Sequence, residues 1–317
     1  MAYSGSFPPW LEQIDFARVL FSLEFMEDCR LPPLALLQLR RELLLTLKGM
    51  ARAGEDVTEL KALLLPELSP DPVVRRLVQK PAPALVISPD HSPRTSFAQR
   101  EALVLDVLFL GQGIAALADF ARLLAAVGNR GLFKGQGRFR LRALASINVN
   151  GEKTPLDGDG PLTPVVTPVS WWLEQQPPLS APLRLEIVSP MRLVSRGKPL
   201  FKAGFGEVFP FIHRRVSQML LSHGLVEMPL HHRSLFDQQQ LDAAAARVEV
   251  RQNGLRWQDW RTLDQEYRQR SIGGLTGHLC LTGAALDELL WLLQLGSLLH
   301  IGKSAGFGCG CYRLRPG

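Results

Sequence analysis

The chain has 317 residues, 46% of them hydrophobic, with a formal net charge of +6 and an isoelectric point of about 9.4. That length and apolar content supply cores for two domains of ordinary size, and the basic balance favours anionic partners. No apolar run reaches the ~18–20 residues of a membrane span, so a membrane protein is not expected.

The start, Met1 to Trp10, is polar and proline-containing and has no basic segment ahead of an apolar one, so no secretory signal is expected. Cys29, Cys280, Cys309 and Cys311 fit a reducing compartment, and together these features point to the cytoplasm. Only Cys309 and Cys311 lie close. C-x-C on a strand puts both on one face, but zinc needs two further ligands, so buried small residues are the simpler reading and no metal or cofactor is expected. Of the 36 cations only Lys48, Lys61, Lys80, Lys134, Lys153, Lys198, Lys202 and Lys303 are lysine. The rest are arginine, which forks onto phosphates and stacks on bases.

Phe16 to Phe25 alternates as a first strand. Leu34 to Lys48 has helical spacing with Gly49 just past its end. Residues 66 to 100 are proline-rich, with one short apolar run at Ala84 to Ser88. Leu103 to Phe109 reads as a strand, Ala115 to Ala126 as a helix stopped by Gly128, and Arg138 to Ser146 as another strand. Asn148 to Pro182, dense in Gly, Pro, Asp and Thr, reads as a linker. The pattern then recurs: a strand at Leu183 to Val188, a basic turn from Arg192 to Lys202, and a helix at Val208 to Ser222. Strands at Arg247 to Arg251 and Thr276 to Leu281, a helix at Ala285 to Leu295 and a closing strand near Tyr312 follow. The expected class is α+β: two tandem ferredoxin-like βαββαβ domains, 1–150 and 183–317, joined by a linker over 151–182.

The densest chemistry is at the C-terminus, where His300-Ile-Gly302-Lys303-Ser304-Ala-Gly306-Phe-Gly308-Cys-Gly310-Cys-Tyr312 leads into Arg313 and Arg315. Glycines beside Lys303 and Ser304 are what a loop needs to lay N–H groups and positive charge against phosphates. The spacing is not that of a P-loop, which points to a polyanion. His300 abuts this loop, so a phosphate held there would lie near both a base and a cation. An earlier helix–glycine loop–strand, around Gly131, Lys134, Gly135 and Gly137, forms a weak internal repeat. On its strand Arg138, Arg140 and Arg142 share one face; three adjacent arginines repel unless an anion sits there, so phosphate contact is expected. His231-His232-Arg233 is a second cluster in a loop-like stretch, and His91 also lies in a loop. His213 is expected on a solvated or phosphate-facing helix side, and His223 and His278 are structural. Asp157-Gly-Asp159-Gly reads as solvated linker.

These residues resemble the RAMP superfamily of CRISPR proteins and, within it, the endoribonucleases that process precursor crRNA, the Cas-six family. Pro190-Met-Arg192 with Gly197-Lys198, Phe209 to Leu220 with Arg214-Arg215, Tyr267 to Ser271 with Gly273 to Gly277, and Leu295-Gly296 through His300 and Gly302-Lys303 to Tyr312 are similar to the family's motifs. The likeness covers about 135 residues from Leu183. It implies a cytoplasmic nuclease for antiviral defence that binds CRISPR repeat RNA, with a CRISPR effector complex as a candidate further partner. The implied reaction is metal-independent attack of a 2′-hydroxyl on the adjacent phosphate. It leaves a 2′,3′-cyclic phosphate or 3′-phosphate and a 5′-hydroxyl. Many members place a catalytic histidine near the first helix, but Met26 to Leu47 contains neither histidine nor tyrosine. Catalysis by His300 with Lys303 is the leading option. RNA contacts are assigned to Lys134, Arg138, Arg140, Arg142, Gly302, Ser304, Gly306, Gly308 and Gly310. The alternatives are catalysis by the 231–233 cluster, a RAMP subunit that binds crRNA without cutting, and an unrelated basic ferredoxin-like protein.

Overall fold

The computed structural model describes residues 7–32, 34–89, 94–156, 161–224, 238–260 and 272–317. His91, Asp157 to Gly160, His231 to Arg233 and Tyr267 to Ser271 lie outside the described residues.

The first domain runs β1 (Asp15–Phe25), α1 (Leu39–Arg52), β2 (Leu85–Pro89), β3 (Ala102–Leu110), α2 (Leu117–Arg130) and β4 (Phe139–Ile147). Its antiparallel sheet has the order β2-β3-β1-β4, the ferredoxin-like arrangement. Along β1, Val19, Phe21, Leu23 and Phe25 are buried while Arg18, Leu20 and Ser22 are half-buried on the other face, as period-two alternation requires. Leu39, Leu43, Leu47 and Met50 form the buried stripe of α1. Both helices run past their expected stops: Gly49 lies inside α1 and Gly128 inside α2, which ends at Arg130 with Gly131 as its cap. Gly128 sits against Phe139 of β4, where a side chain would collide, so packing set that glycine and not helix termination.

The second domain repeats the order: β5 (Leu183–Met191), α3 (Phe205–Met219), β6 (Glu249–Asn253), β7 (Arg256–Trp260), β8 (Ile272–Thr282), α4 (Ala285–Leu299) and β9 (Tyr312–Pro316). The sheet order is β6-β8-β5-β9, with β7 also paired to β8. The sequence pattern missed β7. The stretch from 148 to 182 is not an open linker. Lys153–Pro155 pairs with β4 and Val166–Pro168 pairs with β1. The helix Val169–Glu174 buries Trp172 and Leu173, with Trp172 edge-on to Phe16 at 6.3 Å.

The glycine-rich tail locks the domains together. Phe307 is 3% exposed and belongs to the apolar core of the first domain, although its chain neighbours belong to the second. Gly306 packs on Pro83 and the Leu85 carbonyl. A second apolar cluster also crosses the boundary, joining Phe16, Val86 and Leu108 to residues of the second domain. Phe307→Ala is expected to cost about 3–5 kcal/mol, the usual range for deleting a buried phenyl ring. A lowered urea midpoint by circular dichroism is the check.

Candidate active site and polyanion interface

The tail leaves α4 through His300, which has φ 55° and ψ 163°, a region that essentially only glycine enters without strain. Its imidazole is 2% exposed, and Nε2 shares a 3.1 Å hydrogen bond with Ser88 Oγ of β2. Arg215, buried in α3, donates Nε–H to the Leu299 carbonyl at 3.2 Å, placing a cation at the negative end of α4. Burial lowers that guanidinium's pKa to about 10, so it stays charged.

Beyond Lys303 the loop turns inward. Ser189 Oγ donates to the Gly308 carbonyl at 2.6 Å and accepts from Cys311 N–H at 2.9 Å. Gly310 N–H donates to the Pro190 carbonyl, and the Gly310 carbonyl accepts from Ile301 N–H. Gly310, at φ 69°, passes so close to the Ile301 carbonyl that any side chain would overlap it. The expectation that Gly306, Gly308 and Gly310 cradle phosphate is therefore corrected. All three are buried, and the N–H groups of Gly308 and Gly310 are spent on backbone carbonyls. Gly302 is half-buried, and Lys303 and Ser304 are exposed; Lys303 N–H donates to the Arg192 carbonyl at 2.9 Å.

His300 lines a cleft of about 590 Å³ between the domains, together with Arg18, Ser88, Asp106, Gln294 and Arg313. Lys303 does not line it, so the histidine and lysine expected to share one phosphate face different surroundings. Arg18 is ion-paired with Asp106, whereas Arg313 is exposed. Neither was singled out from the sequence. The one available signal for Arg313 was its alternation with Arg315 straight after the loop.

Arg138, Arg140 and Arg142 lie exposed at the start of β4. Their mutual repulsion is relieved from within. Glu24, opposite Arg140 in the sheet, pairs with Arg140 at 2.5 Å and Arg142 at 3.4 Å, and Glu27 pairs with Arg138 at 3.0 Å. The premise that only an external anion satisfies these arginines is thus corrected, though three cations still face two carboxylates. Lys134 and Gly135, both at positive φ, form the two central residues of a tight turn closed between Phe133 and Gln136. Lys134 is exposed, its ammonium 5.4 Å from the Phe133 ring.

The other described histidines, His213, His223 and His278, do not line the cleft. His213, expected on an open helix face, is 8% exposed. His223 Nε2 donates to the Ala82 carbonyl at 2.6 Å, and His278 Nδ1 lies 3.2 Å from Arg184 Nη2. Burial pushes the Cys309 and Cys311 thiols up to about 11, which keeps them protonated and inert near neutrality. Among the described residues no His, Cys, Asp and Glu cluster could hold a metal ion, and no helix is long and apolar enough to cross a membrane.

With this geometry in hand, comparison with known proteins is decisive at one end of the chain. Residues 185–312, from β5 to the end of the glycine-rich tail, match the family model described as CRISPR-associated endoribonuclease Cas6. Over this second domain the chain is similar to the Cas6 family. Residues 14–165 match a second model, described as an N-terminal domain. No curated protein matches the chain. Among solved structures, a Cas6 product complex superposes with TM-score 0.55 at 15% identity, covering 95% of this chain and 99% of that one. Thermus thermophilus Cas6 gives 0.51 at 14% identity over the same shares. A partial Cas6-RT-Cas1–Cas2 complex gives 0.55 at 14% identity, and there this chain spans 46% of the larger chain. At such identities these likenesses establish the fold alone, two ferredoxin-like domains. The matched region runs through His300, Gly302 and Lys303 and ends at Tyr312, whose hydroxyl donates to the Leu293 carbonyl at 2.6 Å.

Two outcomes follow from the electrostatics. Glu24→Gln frees Arg140 and Arg142 and is expected to raise affinity for heparin, read as later elution in a salt gradient. Burial holds His213 and His223 below the ordinary value of 6.5, so the folded state favours their neutral forms. Their contribution is complete above pH 6.5 and is lost as the pH falls below it, because the unfolded chain takes up the protons first. A thermal midpoint lower at pH 5.5 than at pH 7.5, with a shallower drop in His223→Gln, is the expected result.

Proposed function

We propose that this chain binds a CRISPR repeat RNA and cuts it without a metal ion. The observation that carries the reading is the Cas6 match over residues 185–312, combined with a buried histidine held in a strained backbone where a cleft opens between the domains. Strain of this kind costs about 1–3 kcal/mol and persists where the surroundings over-determine it, often at functional sites.

The proposed step is displacement at phosphorus. The 2′-oxygen forms a bond to the adjacent phosphorus as the bond to the 5′-oxygen breaks, and the leaving 5′-oxygen takes a proton from water in the open cleft, giving a 2′,3′-cyclic phosphate and a 5′-hydroxyl. His300, on the cleft wall, is assigned the 2′-hydroxyl proton as general base. Arg313 is assigned the charge that develops on the phosphorane oxygens. Lys303, exposed on the other side of the turn, is assigned a backbone phosphate instead of the reacting one, as are Lys134, Arg138, Arg140, Arg142, Gly302 and Ser304. Solved Cas6 relatives carry cleavage product, which supports the substrate class. Assembly with other CRISPR proteins is supported by the Cas6-RT-Cas1–Cas2 relative alone.

A second reading is favoured by one observation, the 2% exposure of His300. In it the chain holds crRNA without cutting. Incubation with the cognate repeat in EDTA, followed by end-group analysis, separates the two. The nuclease reading expects cyclic-phosphate and 5′-hydroxyl ends. It also expects loss of cleavage with retained binding in His300→Gly, which relieves the backbone strain, and in His300→Asn. Arg313→Gln should slow turnover about a hundredfold, as for the loss of one stabilising donor. Intact repeat bound by folded wild-type protein would leave only the holding function.

A further inference from the structure

The basic turn after β5 has no role in the reading above, and it builds a surface of its own. Val194–Ser195 pairs with Lys198–Pro199 around a two-residue turn, Arg196-Gly197, with both residues at positive φ. Leu200 N–H donates to the Leu193 carbonyl and closes the hairpin. The chain then presents Phe201, which is 58% exposed, the most exposed large apolar side chain among the described residues. Its ring stands 4.7 Å from that of Trp257 on β7, inclined at 60°. Asn253 of β6 donates its side-chain amide to the Ala203 carbonyl at 3.0 Å, tying the loop to the sheet. The exposed ring is therefore supported from below and from the side, not carried on a loose loop.

The surroundings of that ring are cationic. Arg196, Lys198 and Lys202 are exposed, and no carboxylate among the described residues pairs with them. Glu207, the nearest acid along the chain, is committed to the Gly204 N–H at 2.8 Å; Asp259 lies on the strand that carries Trp257. At its other end the hairpin meets the glycine-rich tail, where the Arg192 carbonyl accepts the Lys303 N–H. A basic path thus runs from Lys303 past Arg192, over Arg196 and Lys198, to Lys202 and the open face of Phe201. Alternating cations and a supported aromatic face suit a strand whose bases are unstacked, because each base offers a π-face and each linkage a phosphate. A duplex, with its bases stacked inside, has nothing to offer Phe201.

We propose that this strip is a second binding site, for an unpaired stretch of RNA, with one base stacked on Phe201 and the backbone led toward Lys303. The proposal rests on the RNA-processing reading and extends it to the single-stranded part of the substrate. The test uses the full-length protein, fluorescein-labelled decauridylate as the probe and an RNA duplex as the control. Phe201→Ala should weaken decauridylate binding roughly tenfold, within the range for losing one stacked base, and leave the thermal midpoint and duplex binding unchanged. Phe201→Trp should restore it. Lys198→Gln and Lys202→Gln should each reduce the slope of log affinity against log salt by about 0.7, as for one single-strand phosphate contact. Decauridylate binding that ignores Phe201→Ala, or that is absent in the wild type, overturns the proposal even if the cognate repeat is cleaved. Phe201-dependent binding without repeat cleavage upholds this site and removes the nuclease reading instead.

Discussion

Phe307 is the residue on which the architecture turns. It belongs to the second domain by sequence and to the core of the first by packing. Neither ferredoxin-like unit needs that insertion to close its own sheet. What it sets is the relation between the two: α4 and β9 are held beside the open face of the first sheet, and the cleft lined by Arg18, Asp106, His300 and Arg313 exists because they are. The glycines of the tail serve the same end. They let the backbone reverse against Ile301 and Pro190 within the second domain and, at Gly306, approach Pro83 and the Leu85 carbonyl of the first.

Charge is handled in two ways. On β4, Glu24 and Glu27 neutralise part of the arginine row from inside the protein. This lets three guanidinium groups sit close together without a ligand and keeps them oriented toward solvent. On the 194–202 hairpin no such carboxylates intervene among the described residues, so the positive field there is unscreened. One surface is partly neutralised, and the other is left cationic beside an aromatic ring. In the deep interior Arg215 does neither. It is charged and buried, and its one hydrogen bond, to the Leu299 carbonyl, fixes the end of α4 next to His300.

Much of the fold was legible because local patterns agreed with it. The alternation in Phe16 to Phe25, the helical stripe after Leu34 and the repeated helix–glycine–strand at both domain ends all correspond to real elements. Boundaries failed where glycine was taken as punctuation: Gly128 lies inside a helix because Phe139 leaves no room for a side chain there, whereas Gly49 is exposed with open space around it and α1 simply runs through it. The stretch 148–182 failed for a related reason. Its composition reads as loop, yet Lys153–Pro155 is ordered by pairing back onto the adjacent β4, and Val166–Pro168 by pairing with the sequence-distant β1. β7 gave little signal because Arg256 to Trp260 has no period-two alternation: Trp257 and Trp260 lie three residues apart with polar residues between them.

By itself the sequence determined the α+β class, the doubled domain, the basic character and the kinship carried by His300, Gly302, Lys303 and the glycines that follow. These follow from periodicity, composition and local backbone demands, which act over a few residues. Only the tertiary structure decided what each of those residues faces. It buried Gly306, Gly308 and Gly310, set His300 on a cleft wall and left Lys303 outside, gave the β4 arginines their own carboxylates, and stood Phe201 on Trp257. Each of those outcomes is a contact between segments far apart in the chain, and burial and pairing at such distances are fixed by how the two domains dock.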